Sequence, residues 1–221
     1  LLSLAAGSFM ASGLVGALGE RLSAVAAVRI GLAAEIAGLA GLGLVIGSDT
    51  SWPSLAPFLF VYGTGVGLAT AQLTGVSLRD VPVTSSGQAS GTLSTARQIG
   101  SALGIAVLGT VLFTTTGSAL DARLSDEASA MPESARTQVV DAVVVSAGGA
   151  IPGLAQKNEQ IAEAARDAFS TGTRAAAFTA AGFLVVGLGA TLRLSSRRAD
   201  AGEGAGRAPI GRPGERSGSP G

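Results

Sequence analysis

The chain has 221 residues, of which 47% are hydrophobic and 14% are charged, and its mean hydropathy is +0.48. A soluble domain of this size carries roughly a quarter charged residues, so the composition indicates an integral membrane protein. The 15 basic and 15 acidic residues balance, which removes any general attraction to nucleic acid. Cysteine and histidine are absent, so disulfides, thiol chemistry and the usual zinc sites are excluded.

The N-terminal stretch LLSLAAGSFM is already apolar, has no initiator Met and lacks the basic segment that opens a signal peptide. It predicts that the sequence begins inside a membrane span and forms the C-terminal part of a longer protein. Spans are predicted wherever about 20 helical residues can cross a hydrocarbon core of about 30 Å. Five windows meet this description, at residues 1–18, 25–47, 55–78, 88–113 and 175–194.

The stretch 114–173, between the last two spans, contains eight acidic residues and is predicted to be a long loop. Within it, segments 134–147 and 155–169 have the periodicity of short amphipathic helices. The end of the chain is rich in Gly, Pro, Arg and Ser, which predicts a disordered tail over residues 196–221.

Basic residues predict the orientation. Arg21, Arg29 and Arg79 lie in or beside the short connections, and further arginines follow the last span. The positive-inside rule places these connections and the tail in the cytoplasm and the long loop outside. The chain is therefore predicted to be a multi-pass protein of the cell membrane, surrounded by the lipid bilayer.

Arg97 is a full charge within the fourth span. Ser90, Ser94, Arg97, Ser101 and Gly104 recur at helical spacing and form one polar, small-residue stripe. An unpaired arginine near the centre of a span costs about 3 kcal/mol, so this stripe is predicted to face a bundle interior or wet cavity as a substrate path. The alternative is that Arg97 lies about two turns from the cytoplasmic end and extends its side chain to the interface.

Glycines spaced four residues apart place small groups on one helix face, where backbones can approach closely. The pattern fits the sliding interface of a transporter and equally a static helix contact. Gly63 and Gly67 show it in the third span. The helix-packing glycines of the fourth span are Gly87, Gly91, Gly100 and Gly104.

Polar residues of the third span either line a substrate path or form hydrogen bonds within the helix bundle. Gln72 is the first candidate because of its reach, and Thr74 is a further one. Glu35 is the one carboxylate inside a predicted span, and in an apolar setting it can exchange a proton near neutral pH. Glu35 is therefore a proton-carrier candidate, although a structural partnership with a nearby base is the simpler interpretation. The sequence contains no nucleophile–base pair, metal cluster or phosphate loop, so no enzyme activity, metal or cofactor is predicted.

Two stretches resemble the major facilitator superfamily, and within it the fourteen-helix branch of drug:proton antiporters. Residues 16–33 are similar to the cytoplasmic loop signature Gly-x-Leu-x-Asp-Arg-x-Gly-Arg, with Ser23 in place of the second glycine and no further base until Arg29. The residues that match this signature are Gly16, Leu18, Glu20 and Arg21. Residues 81–112 are similar to the penultimate helix of the branch, and the matching residues are Gly87, Ala89, Ser90, Gly91, Arg97, Gln98, Gly100, Gly104 and Ala106.

The resemblance implies an all-α membrane protein in which residues 1–195 form five transmembrane helices, most of the C-terminal bundle of a major facilitator fold. The N-terminal helices would be missing from the sequence. In this fold the third and fourth spans line the central path, which favours Arg97 and Gln72 over Glu35 as substrate-path residues.

The function that the resemblance implies is efflux of small amphipathic or cationic molecules, driven by protons, in a bacterial plasma membrane. Transport would proceed by alternating access, in which two helical bundles rock about a central site. The alternative is a polytopic assembly or anchoring module that transports nothing. Neither interpretation calls for a nucleic acid or a cofactor.

Overall fold

The computed structural model describes residues 2–18, 23–78, 81–127 and 131–205. These residues form seven α-helices, with a single 3-10 turn at Val83–Ser85 before the fourth helix. The helices are α1 (Leu2–Leu18), α2 (Ala24–Val45), α3 (Trp52–Leu78), α4 (Ser86–Glu127), α5 (Glu133–Val145), α6 (Ile151–Ala155) and α7 (Glu159–Ala205).

Four segments of the described chain are long and apolar enough to span a membrane, namely α2, α3, Val83–Ser125 and Glu159–Leu192. The prediction of an all-α membrane protein is thereby confirmed. The first predicted span is α1, whose 17 residues fall short of the roughly 20 that cross the hydrocarbon core. Trp52 begins α3 and is 52% exposed, as expected of an aromatic ring at a membrane interface.

Glycines allow α1 and α3 to pack backbone against backbone. Gly7 lies against the carbonyl group of Phe60, and Gly63 lies against that of Leu4, so neither position has room for a Cβ. The Ser8 hydroxyl donates a hydrogen bond of 2.9 Å to the carbonyl oxygen of Gly63. The hydrophobic effect does not drive helices together within lipid. Small residues instead allow close van der Waals packing and hydrogen bonds between the two helices. On its other side α3 packs against α2, which in turn contacts α7, and α7 contacts α4.

Two arginines connect α2 to the antiparallel α7. Arg29 of α2 donates from Nη2 to the carbonyl oxygen of Thr191 over 2.8 Å. Arg174 of α7 donates from Nε to the carbonyl oxygen of Gly43 over 3.0 Å. Each helix therefore supplies a guanidinium group to the backbone of the other. Both charges form charge-assisted hydrogen bonds, which are stronger than bonds between neutral groups.

The helices α4 and α7 are much longer than a bilayer is thick. Their 42 and 47 residues correspond to about 63 Å and about 70 Å at 1.5 Å per residue. The stretch predicted as a loop, 114–173, contains the end of α4, both short helices and the start of α7. We call this region the helical cap. Of the two predicted amphipathic segments, the first is α5, whereas most of the second belongs to α7.

The helical cap has its own hydrophobic core, unlike a loop. Its buried residues come from α4, α5 and α7, and they are Leu120, Leu124, Val143, Ala164, Ala165 and Ala168. Ion pairs of 2.8 Å join Arg123 to Asp167 and Arg136 to Asp121 across the helices. These pairs are partly exposed, so apolar burial contributes most of the stability of the cap.

At the C-terminus, α7 continues to Ala205. This end lies ten residues inside the segment 196–221 for which the composition predicts disorder. Residues 206–221 lie outside the described residues.

Candidate substrate cavity

The polar stripe of α4 forms one continuous surface. Ser90, Ser94, Arg97 and Ser101, together with two neighbours on the same helix, line an open depression of about 430 Å³. Arg97 is exposed and has no hydrogen-bond or ion-pair partner among the described residues. The guanidinium group is therefore available to a ligand or to a further helix.

A larger cavity, of about 590 Å³, lies among α2, α3, α4 and α7. Glu35 is the one charged residue in its lining, and Tyr62 adds a hydroxyl group. The other lining residues are apolar, and they are Leu39, Gly100, Leu103, Gly104, Val107, Leu108, Ala180, Phe183 and Leu184. The cavity falls within the size range of pockets for drug-sized molecules, about 300–1,000 Å³.

The depression and the cavity follow one another along the same side of α4. Ser101 lines the depression, whereas Gly104 and Leu108 line the cavity. The spacing of three to four residues places all of them on one helix face. Arg97 and Gly104 are seven residues apart, which is about 10 Å along the helix axis. The polar stripe therefore adjoins an apolar cavity whose lining contains a carboxylate.

Glu35 is only 9% exposed. Gly65 of α3 makes room for it, because a Cβ at Gly65 would lie 2.7 Å from Cγ of Glu35. No hydrogen bond or ion pair of Glu35 occurs within the part of the chain that the structure describes. The structural base expected as its partner is therefore not found there. A buried carboxylate without a partner is unfavourable when ionised, so it favours a proton or a cation as its companion.

The remaining predicted residues lie elsewhere. Gln72 is half-buried on α3 and is not part of the lining of the depression or the cavity. Thr74 lies on α3, but its side chain is outside the described part of the structure. The loop signature begins with Gly16 and Leu18 at the end of α1, again without described side chains. The charged pair of the signature, at positions 20 and 21, lies outside the described residues.

The glycines predicted to pack α4 against other helices do not do so among the described residues. A Cβ built at Gly87, Gly91, Gly100 or Gly104 meets no atom within 4 Å. Gly100 and Gly104 instead line the cavity, where the missing side chains leave space. In α3, by contrast, Gly63 and Gly67 touch the backbone of α1, as small-residue spacing allows.

Sequence reasoning missed the aromatic residues of the cavity. Tyr62 and Phe183 belong to α3 and α7, and they meet Glu35 only through tertiary packing. The one available signal was the scarcity of aromatic residues, 4% of the chain, which makes each of them notable. Among the described residues, no group of three or more acidic side chains is placed to hold a metal ion.

Comparison with known proteins gives two kinds of relative. "Multidrug resistance protein Stp" of Mycobacterium tuberculosis is 30% identical over 193 residues, which are 84% of this chain and 35% of the relative. "Probable actinorhodin transporter" of Streptomyces coelicolor is 41% identical over 83 residues, 38% of this chain and 14% of the relative. The chain therefore spans only about a third of the length of the first relative, and it matches a smaller share of the second. No family model matches it, and no solved structure matches significantly.

Both relatives are named for resistance or transport, and the described part of this chain is an all-α membrane protein. The similarity to these two transporters supports the resemblance to the major facilitator superfamily.

Proposed function

We propose that the chain is part of a small-molecule efflux transporter, coupled to protons and working by alternating access. The names of both relatives, a multidrug resistance protein and a probable actinorhodin transporter, support export as the activity. In this proposal the chain supplies the last five helices of a fourteen-helix drug:proton antiporter, and N-terminal helices outside this sequence complete it. The protein acts as a transporter rather than an enzyme, in a bacterial plasma membrane.

The observation that carries this proposal is the buried carboxylate of Glu35 in a drug-sized cavity that continues from the polar stripe of α4. A substrate would enter along Ser94, Arg97 and Ser101 and come to rest in the cavity. Glu35 would carry the coupling proton, since a carboxylate inside a membrane span is costly when ionised and commonly belongs to a proton pathway. Gln72 and Thr74 would line the substrate path on the side formed by α3.

Alternating access requires a second helical bundle opposite α4. The exposed surface of α4 that includes Gly87 and Gly91 is the surface on which we place that bundle. Close and reversible helix contacts of this kind suit small residues. The segments 114–173 and 196–221 would lie outside the membrane, on the extracytoplasmic and cytoplasmic sides respectively.

Cellular efflux separates transport from a purely structural role. Cells that express the full-length protein should retain less ethidium than cells with the empty vector, and a protonophore should abolish the difference. The competing proposal, an assembly or anchoring module, draws support from the ordered core of the helical cap. Equal retention with and without the protein would favour that module.

The cytoplasmic loop is proposed to hold one state closed through Glu20 and Arg21. A contact made in only one state shifts the equilibrium between states by its own free energy. We therefore expect Arg21→Ala in the full-length protein to slow ethidium efflux while expression stays normal. Arg207→Ala, in the tail, is the matched control. Unchanged efflux by Arg21→Ala would refute this role of the cytoplasmic loop.

A further inference from the structure

We propose that the connection between α5 and α6, residues 144–153, contacts the lipid headgroups beside the bundle and inserts the side chain of Val145 among them. We call this segment the α5–α6 junction. The helical cap would thereby possess a membrane-contact surface of its own. This contact would support the cap whether or not the protein transports anything.

The direction of α5 brings the junction back toward the membrane. Near the start of α5, Arg136 pairs with Asp121 of α4. Near its end, Val144 lies 3.5 Å from a Cβ built at Gly117, which is about one turn closer to the apolar part of α4. The helix α5 is therefore antiparallel to α4, and its C-terminal end points toward the bilayer.

The contacts of α7 give the height of the junction. A Cβ built at Gly148 would lie 3.2 Å from the ring of Phe169. Further along α7, by about 7.5 Å, Arg174 donates to the carbonyl oxygen of Gly43, close to the end of the spanning helix α2 at Val45. The headgroup layer on each side of the hydrocarbon core is about 5–8 Å thick. The junction is therefore at the height of the lipid headgroups.

The junction is also on an outer side of the described helices. Gly104 of α4 lines the cavity, whereas Gly117 of the same helix faces α5. At about 3.6 residues per turn, these two glycines are separated by about 140° around the helix. The helix α5 thus packs on a side of α4 away from the cavity, where lipid can approach it.

The surface of the junction is uncharged and apolar. None of residues 142–156 carries a charge, although charged residues flank this range on both sides. Val145 is 86% exposed, and Ala147 and Pro152 are exposed as well. Contiguous apolar surface on a protein marks a contact with a membrane or a partner. At this height the membrane is the surface available, and apolar groups bind at the boundary between its headgroups and acyl chains.

The polar groups of the junction are paired within the protein, as contact with lipid requires. Every backbone N–H group of residues 146–151 donates to an acceptor within residues 142–148. The Ser146 hydroxyl donates to the carbonyl oxygen of Ala142 over 2.6 Å and accepts from the N–H group of Ala150 over 2.9 Å. A turn surrounded by water can leave such groups to the solvent, whereas groups beside lipid need partners in the protein.

Ala147 provides a further indication. It follows the end of α5 with a φ of 50°, a conformation in which glycine or asparagine is usual after a helix. Alanine places an apolar methyl group where asparagine would expose an amide. The junction is thus apolar even at a position where a polar residue is a common choice.

Photocrosslinking tests which molecule contacts the junction. In the full-length protein p-benzoyl-phenylalanine replaces Val145, cell membranes are irradiated, and mass spectrometry identifies what is attached at that position. We expect a phospholipid on the peptide that contains position 145. Ser134 is the matched control, because it is exposed on the same helix and lies about 16 Å further from the membrane. The same replacement at Ser134 should give no phospholipid adduct, whereas replacement of Val186, which is 71% exposed in the α7 span, should give one.

A second measurement uses the purified 221-residue chain in lipid nanodiscs. The chain contains no cysteine, so Val145→Cys and Ser134→Cys each provide a single site for a fluorescent label. Lipids with a nitroxide on the headgroup should quench most of the fluorescence at position 145 and little of it at position 134, and circular dichroism checks that both variants are folded. Equal quenching at the two positions would overturn the proposal. So would a protein segment attached at position 145 in place of phospholipid, or no adduct there while Val186 gives one.

Discussion

Arg97 and Glu35 occupy two environments that meet on α4. Arg97 is exposed on the polar stripe, whereas Glu35 is buried in the cavity that follows it. Local spacing was enough to predict that the serines and Arg97 share a face, because helical periodicity fixes this relation within one helix. The surroundings of Glu35 were not predictable in the same way. They come from four helices, and Leu39 and Phe183 are 144 positions apart in the sequence.

At the scale of the single residue, Arg97→Lys tests whether Arg97 orients a ligand or merely reaches the interface. Lysine keeps the charge but lacks the planar fork that forms two parallel hydrogen bonds. In the full-length protein we expect efflux of a substrate that carries a polar or acidic group to fall by roughly tenfold, the effect of losing one hydrogen bond to a charged group. Arg166→Lys, on the surface of the helical cap, should have no effect. Efflux at the wild-type rate in Arg97→Lys would indicate that the side chain only extends to the interface.

At the scale of the helices, the main difference from prediction lies in 114–173. The sequence pattern ends the fourth span where the apolar run ends, yet α4 continues to Glu127 and α7 begins at Glu159. A helix does not stop at the membrane surface, because its backbone hydrogen bonds do not depend on lipid. The apolar residues that continue along α4 and α7 are buried against α5, as in a soluble helical bundle.

Two valines on α5 provide a matched test of this core. Val143 is fully buried in the helical cap, and Val145 is 86% exposed. Val143→Ala should destabilise the cap by about 1–3 kcal/mol through lost burial and the cavity it leaves. Limited proteolysis of the purified protein should then cut the cap faster in Val143→Ala than in the wild type. Val145→Ala should be cut at the wild-type rate, and equal rates for both variants would mean that the cap has no such core.

The crossing of α4 and α7 depends on a glycine that sequence spacing did not identify. A Cβ at Gly172 would lie 2.7 Å from the carbonyl oxygen of Leu112 and still closer to the hydroxyl group of Thr116, which is 1% exposed. Gly172→Ala should therefore destabilise the protein by about 1–3 kcal/mol, as overpacking does. Gly182→Ala lies on the same helix in open space and should be neutral or slightly stabilising. Thermal unfolding in detergent measures both, and equal melting temperatures would contradict the close contact.

At the scale of the whole molecule, α1, α3, α2, α7 and α4 form a series of neighbours, and α4 stands at its end with much of one face exposed. Composition was sufficient to predict a membrane protein, because long apolar helices with few charges have no other favourable surroundings. The order of helices was not predictable from spacing alone. It depends on glycines such as Gly7, Gly63 and Gly172, whose partners lie on distant segments of the chain.

We propose that protons drive export through the cavity beside Glu35, and transport in proteoliposomes tests this proposal most directly. The full-length protein is reconstituted, the lumen is made acidic, and ethidium uptake is followed by fluorescence. We predict gradient-dependent uptake for the wild type and for Glu163→Gln, and none for Glu35→Gln. Uptake by Glu35→Gln at the wild-type rate, or wild-type uptake that persists without a pH gradient, would contradict the account.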